Sequence, residues 1–309
     1  MLEQQPAIAI VFPGQGSQSV GMLSGYDHPI ITATVAEVSD AINCDLATII
    51  ENDAEALNQT INTQPAMLAM GVGVYRAIGT QLSQTAQIVG CAGHSLGEYS
   101  ALVCAGALSL GEAAVLVRRR AELMQNAVAD GGMAAILGLS ATQVEQHCTE
   151  LRQQGESVWA ANYNSENQIV IAGKRTSVER ASEVLKTAGA KRCVLLAMSV
   201  PSHCPLLADA AAELLPALTA VAWQPTAFPV LHSAVVADDN SGTPLPAQYL
   251  AAQLTQAINW QQLLNGLQAL GAGSVIESGP GKVLTGLGKK STLPHSAIAN
   301  AESLAAFLA

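Results

Sequence analysis

Ile88-Val89-Gly90-Cys91-Ala92-Gly93-His94-Ser95-Leu96-Gly97-Glu98-Tyr99-Ser100 is the stretch on which the reading of the fold turns. Ile88 to Ala92 is a short apolar run of buried-strand length, and from Glu98 onward the apolar residues return to helical spacing. Gly93 to Gly97 must then be a tight strand-to-helix turn. Upstream, Ala7 to Phe12 is a second apolar run, ending at the glycine-rich loop Pro13-Gly14-Gln15-Gly16-Ser17, and helical patterns fill the chain from there to about Gln84. Strands alternating with helices predict a parallel sheet with helices on its faces.

The pattern changes between about Val128 and Ser199. Strand Met133 to Leu139 is followed by helix Ser140 to Leu151, strands Val158 to Asn162 and Gln168 to Ala172, helix Ser177 to Ala188 and strand Cys193 to Leu196. This βαββαβ order predicts a ferredoxin-like unit inserted in the larger domain. Ser140 with Gln143 reads as a capping box, and Asn164 to Asn167 as the turn between the middle strands. Beyond Pro201 the alternation resumes, with strands at Phe228 to Leu231 and Ser274 to Glu277 expected to complete the first sheet, and Asp238 to Pro246 reading as a surface loop. The expected division is a large α/β domain over 1–127 and 200–309, with the small subdomain over 128–199.

A chain of 309 residues can bury a large core, and half of its residues are hydrophobic, few of them aromatic. With a net charge of -10 and no basic run longer than Arg118-Arg119-Arg120, nucleic acid is not an expected partner. Met1 to Gln5 lacks the basic start of a signal peptide, and His94 and Glu98 interrupt the apolar stretch around Ser95, so neither secretion nor a membrane is expected. Six scattered cysteines without zinc-like spacing suit unpaired thiols in a reducing cytoplasm, with no metal site. Cys204, although it adjoins His203, reads as a structural thiol.

Gly93-His94-Ser95-Leu96-Gly97 fits GxSxG, whose glycines permit a turn sharp enough to expose the serine hydroxyl. The helix that follows aims its N-terminus at that hydroxyl. Its free N–H groups, Leu96 included, can receive negative charge developing on a carbonyl oxygen, with the Gln15 N–H as candidate second donor. A glycine-rich turn alone, however, needs no catalytic purpose. A nucleophilic serine needs a base, and His28, His94, His147, His203, His232 and His295 compete for the role. His203, at a loop-to-helix junction after Val200-Pro201-Ser202, is favoured modestly over His232. Asp130, the only aspartate between Ser95 and His203, precedes two glycines and reads as a turn residue. A backbone carbonyl can orient the histidine instead.

Arg120 bears on the substrate. At about 100° per residue it falls between Ala113, Val117 and Met124 on the apolar stripe of its helix. A guanidinium directed into a core stays charged and requires either an internal carboxylate or a carboxylate on a ligand.

Five ordered motifs, Val11-Phe12-Pro13-Gly14-Gln15-Gly16-Ser17-Gln18, Thr63-Gln64-Pro65-Ala66, Gly93 to Ser100, Val200-Pro201-Ser202-His203 and Glu277-Ser278-Gly279-Pro280-Gly281-Lys282-Val283-Leu284, resemble those of malonyl-CoA:acyl carrier protein transacylases. The resemblance spans nearly the whole chain. It implies an α/β-hydrolase-like domain with a ferredoxin-like insertion, no bound cofactor, coenzyme A thioester as substrate, and malonyl-CoA and acyl carrier protein as partners of a cytoplasmic monomer. It implies Ser95 as nucleophile, His203 as base, backbone Gln15 and Leu96 as oxyanion donors and Arg120 as carboxylate ligand. Gln253 would orient the histidine through its carbonyl, and Gln64 would lie in the pocket. Two positions depart from the family pattern: His232 stands where asparagine is common, and Glu166-Asn167 where Pro-Gly is frequent. Rival readings are a trans-acting polyketide-synthase acyltransferase, a serine thioesterase or hydrolase, and a non-catalytic carrier-docking module. Lys174-Arg175, Lys191-Arg192 and Lys289-Lys290 are candidate local docking pairs.

Overall fold

In the computed structural model, residues 5–236 and 245–309 are described; most of the expected surface loop Asp238 to Pro246 lies outside them. Among the described residues ten strands occur: β1 (Ala7–Phe12), β2 (Gln87–Gly93), β3 (Gly131–Leu137), β4 (Val158–Ser165), β5 (Gln168–Lys174), β6 (Arg192–Leu195), β7 (Val230–Leu231), β8 (Ile258–Asn259), β9 (Ser274–Ser278) and β10 (His295–Ile298). They form two sheets belonging to two compact units. The first unit comprises 1–121, 221–232 and 263–309, and the second 122–220 and 233–262. The segment 128–199 lies within the second unit, which also takes in the residues on either side of it and a later stretch of chain.

The first unit carries a wholly parallel sheet in the order β10-β9-β1-β2-β7. β1 is its centre, which explains why Ile8 to Phe12 is an uninterrupted apolar run rather than an alternating one: both faces are covered, and each residue is at most 4% exposed. β7 has only two residues, shorter than the apolar run Phe228 to Leu231: Val230 and Leu231 lie in register with Cys91 and Ala92, and the Pro229 carbonyl before them accepts the Cys91 N–H at 2.8 Å. From β1 the chain reaches β2 on one side, and β9 takes the other side. Loops leaving the carboxyl ends of parallel strands at such a reversal surround a crevice.

The second unit holds the sheet β6-β3-β5-β4-β8. Its first four strands are mutually antiparallel neighbours. With helices Ala141–Gln153 and Arg175–Thr187 between them in the chain, they have the order of a split βαβ, ferredoxin-like unit. The capping box forms: the Ser140 side chain accepts from the Gln143 N–H, and the Gln143 side chain accepts from the Ser140 N–H. β4 runs on to Ser165 through two register shifts, so the turn narrows to Glu166-Asn167. β3 stops at Leu137 because Gly138 turns into the left-handed region, with φ +95. β8, too short to leave a periodic signature, pairs in parallel with β4, so the C-terminal half of the chain feeds this sheet as well as the first. One sheet face packs Ile136, Ile169 and Ile171 against Val144, Cys148, Val178 and Leu185. The other packs Met133, Val170 and Ala172 against Cys204. Among the described residues no helix is long and apolar enough to cross a membrane.

Candidate active site

Within the first unit the loops after β1 and β2 meet at the carboxyl end of the sheet. The His94 N–H donates to the Phe12 carbonyl at 3.0 Å, and a side chain at Gly14 would strike the His94 carbonyl at 2.5 Å. Ser95 has φ +53, in the left-handed region that a non-glycine residue occupies at a cost of about 1–3 kcal/mol. The flanking glycines explain how the turn is possible. A Cβ at Gly93 would lie 1.8 Å from the Gly97 carbonyl carbon, and one at Gly97 would lie 2.1 Å from the Phe12 oxygen. Each glycine of the motif is thus demanded by close backbone approach.

Helix Gly97–Cys104 starts directly behind the serine. Among the described residues no acceptor is bonded to the N–H of Leu96 or of Gln15. At a helix N-terminus such donors favour negative charge. The Gln15 side chain reaches the Thr60 hydroxyl at 3.4 Å, and the adjacent Gly16 N–H donates to Gln18 Oε1 at 2.7 Å, which holds this loop in shape.

Arg120 is 1% exposed and sits on helix Leu110–Ala127, as the apolar stripe predicts. Its Nη1 donates to Gln64 Oε1 at 2.7 Å and its Nη2 to the Ser95 hydroxyl at 3.2 Å, while its guanidinium carbon lies 5.9 Å from the centre of the Tyr99 ring. Burial pulls its pKa below the usual arginine value, and neighbouring Tyr99 and Glu98 oppose that pull. Gln64 is placed by an irregularity in helix Thr60–Thr85. Pro65 lacks the N–H that would bond the Ile61 carbonyl one turn back, and Arg118 Nη1 donates to that carbonyl at 3.2 Å instead. Arg118, at the other end of the basic triplet from Arg120, thus satisfies a carbonyl of the helix that carries Arg120's partner.

Five of the six histidines separate by their partners. His28 caps helix Pro29–Ala41, His147 pairs with Glu150 at 3.3 Å on its own helix, and His295 Nδ1 donates to the Leu293 carbonyl at 2.8 Å. His232, directly after β7, places Nδ1 2.8 Å from Oε1 of Glu98, a carboxylate with no exposed surface. The sequence marks His232 as a candidate base and a departure from the family pattern but gives no sign of this partner, because an acidic residue in a first helical turn is ordinary capping chemistry.

In the second unit His203 is 3% exposed, has φ +62, and its Nδ1 bonds the Gln253 carbonyl oxygen at 2.7 Å. A carbonyl can only accept, so Nδ1 carries the hydrogen and Nε2 of the neutral ring is left as a proton acceptor. Gln253 is itself buried; its N–H donates to the Tyr249 carbonyl at 2.9 Å and its side-chain amide to the Ser233 hydroxyl at 3.2 Å. The segment is anchored at Pro201, which packs where a side chain on Gly131 would stand, 2.3 Å from its ring. Cys204 donates to the Pro201 carbonyl at 3.2 Å, and burial pushes its thiol up to about 11, which suits a packing residue rather than a nucleophile. Asp130 pairs with Arg175 at 3.4 Å and its carbonyl accepts the Arg175 N–H, consistent with a turn. The structure thus gathers Ser95, Leu96, Gln15, Gln64 and Arg120 in one unit, and His203 and Gln253 in the other.

A strained serine between a glycine-bounded strand and a helix N-terminus, touched by a buried guanidinium, has the geometry of a nucleophile elbow, the class of site that forms acyl-serine intermediates. The acyl transferase domain family matches residues 9–306. This chain belongs to that family, in its malonyl CoA-acyl carrier protein transacylase branch. It is 42% identical over 307 residues to the malonyl CoA-acyl carrier protein transacylase of Escherichia coli, covering 97% of this chain and 98% of the relative. The crystal structure of an acyl carrier protein S-malonyltransferase from Vibrio cholerae is 41% identical with a TM-score of 0.88, covering 97% of this chain and 99% of that one. A malonyl-transacylase in complex with its type II polyketide acyl-carrier protein is 40% identical with a TM-score of 0.90, covering 98% and 99%.

Proposed function

We propose that this chain transfers a malonyl group from malonyl-CoA to the phosphopantetheine thiol of an acyl carrier protein, through a malonyl ester on Ser95. The observation that carries the reading is the Arg120 guanidinium, buried yet bonded to the Ser95 hydroxyl, in a family of transacylases. A serine that must receive an acyl group with a free carboxylate needs a desolvated cation at that distance from it.

In the first half-reaction the Ser95 oxygen attacks the thioester carbonyl carbon as His203 Nε2 takes its proton, which requires an approach of about 3 Å. The oxyanion draws on the N–H groups of Gln15 and Leu96. The intermediate collapses with loss of the coenzyme A sulfur, which takes the proton back from His203. In the second half-reaction the carrier's thiol gives its proton to His203 and attacks the malonyl ester, and Ser95 leaves and is reprotonated. Throughout, the Gln253 carbonyl holds the ring in the tautomer required, and a formal carboxylate is not needed. Arg120, steadied by Gln64, binds the malonyl carboxylate in both halves. The six free thiols fit a cytoplasmic setting.

Initial-rate kinetics test the function as a whole. Parallel double-reciprocal lines for malonyl-CoA and phosphopantetheinylated carrier are expected. Intersecting lines, or release of free malonate at the rate of carrier loading, would overturn the two-step transfer in favour of a ternary complex or a hydrolase.

A further inference from the structure

The pairing of His232 with Glu98 is left unused by the mechanism above. Glu98 lies three residues beyond the nucleophile, in the first turn of the helix behind it, and has no exposed surface. A buried carboxylate there is unfavourable for a malonyl site in two ways: it repels the substrate's own carboxylate, and it can attract the guanidinium that should bind it. Glu98 already acts on Arg120 electrostatically. Glu98 is also met by His232, delivered by the pairing of β7 with β2, with Nδ1 2.8 Å from Oε1 and the imidazole 19% exposed. With Glu98 ionised, the nitrogen that faces it must carry the hydrogen. Meanwhile the two Nη groups of Arg120 reach Gln64 and the Ser95 hydroxyl.

We propose that His232 is a positioning residue which, by donating to Glu98, keeps that buried carboxylate from competing with the malonyl carboxylate for Arg120. The inference rests on the malonyl-transfer reading given above. It makes His232 a determinant of the preference for a carboxylated acyl group, not of acyl transfer in general.

The test compares kcat/KM for malonyl-CoA and acetyl-CoA in His232→Ala and His232→Asn, each made alone and together with Glu98→Gln. His232→Ala should lower the malonyl-to-acetyl ratio about tenfold or more, because a buried charge has lost its partner. His232→Asn, whose amide still donates to Glu98, should hold the ratio within about threefold. Beside Glu98→Gln, where no charge is left to compete, His232→Ala should change the ratio less than about twofold. An equal fall for both thioesters, or a loss of preference that persists undiminished beside Glu98→Gln, overturns the role. If circular dichroism finds His232→Ala unfolded, His232→Leu, which fills the space without a donor, is judged by the same criteria. Wild-type protein that forms no malonyl-Ser95 would refute the function itself, whereas unaltered preference in a His232→Ala chain that does form it refutes only this inference.

Discussion

Replacing Arg120 by alanine separates the carboxylate-binding role from every other consequence of altering the site. Arg120 is 1% exposed, so a malonyl carboxylate bound there forms its ion pair away from water, where removing one partner costs about 3–5 kcal/mol. At 1.4 kcal/mol per factor of ten, acylation by malonyl-CoA should slow by roughly two to three and a half orders of magnitude. The same substitution removes the 3.2 Å hydrogen bond to the Ser95 hydroxyl, a charged contact worth about 1.5–3 kcal/mol, but that loss falls equally on every thioester. The ratio of malonyl to acetyl acylation therefore isolates the ion pair and should fall at least about a hundredfold. The assay is the rate of acyl-enzyme formation at thioester concentrations far below saturation, followed by intact-protein mass, on protein whose thermal unfolding establishes that it is folded. Arg120→Lys, with a point charge in place of a planar fork, should fall between the two. Equal slowing of malonyl and acetyl thioesters in Arg120→Ala would refute the reasoning.

Three further outcomes are expected. Gly97→Ala should cost about 3 kcal/mol or more in urea unfolding, because its Cβ would sit 2.1 Å from the Phe12 oxygen; Gly111→Ala, in open space on a helix, should instead stabilise by about 0.5–1 kcal/mol, and comparable effects at the two sites would contradict the close-approach argument. His203→Ala should slow Ser95 acylation by about 10²–10⁴-fold, and a rate within a few-fold of wild type would remove it as the base. His295 is lowered from its usual pKa by burial, since protonation would put a hydrogen on a buried Nε2 with no acceptor; its contribution is present above the unfolded value of about 6.5 and is lost as pH falls through the depressed folded value. Unfolding free energies of wild type and His295→Gln should therefore change relative to each other below about pH 6.5, with wild type losing ground, and a constant difference from pH 8 to 5 would contradict this.

The parts of the fold that read directly from sequence are those whose burial leaves a continuous signature. β1 and β2, with both faces covered, wrote apolar runs bounded by glycine turns, and their limits agree with the structure to within a residue. The βαββαβ order was legible too, with the Ser140 capping box marking a helix start by local chemistry alone, but its limits were not: β3 begins and ends two residues earlier than expected, and β4 runs three residues further. β8, two residues long, is a strand only because β4 lies beside it, and no window of sequence can carry that information; the apolar run Phe228 to Leu231 marked β7, but not that only its last two residues join the ladder. Arg120 was legible because a charge on an apolar stripe is anomalous in itself. The pairing of Glu98 was not, since its partner His232 lies 134 residues further along the chain. Likewise the Gln253 carbonyl carries no side-chain identity, so nothing in residue type marks it as the partner of His203.

The most direct test of the central claim is intact-protein mass spectrometry of this chain mixed with malonyl-CoA, followed by addition of a phosphopantetheinylated carrier protein. The account predicts one malonyl adduct, mapped to Ser95 and absent in Ser95→Ala, that passes to the carrier when it is added. A Ser95→Ala protein that still acquires the adduct, or a Ser95 adduct that is lost to water as fast as to the carrier, would contradict it.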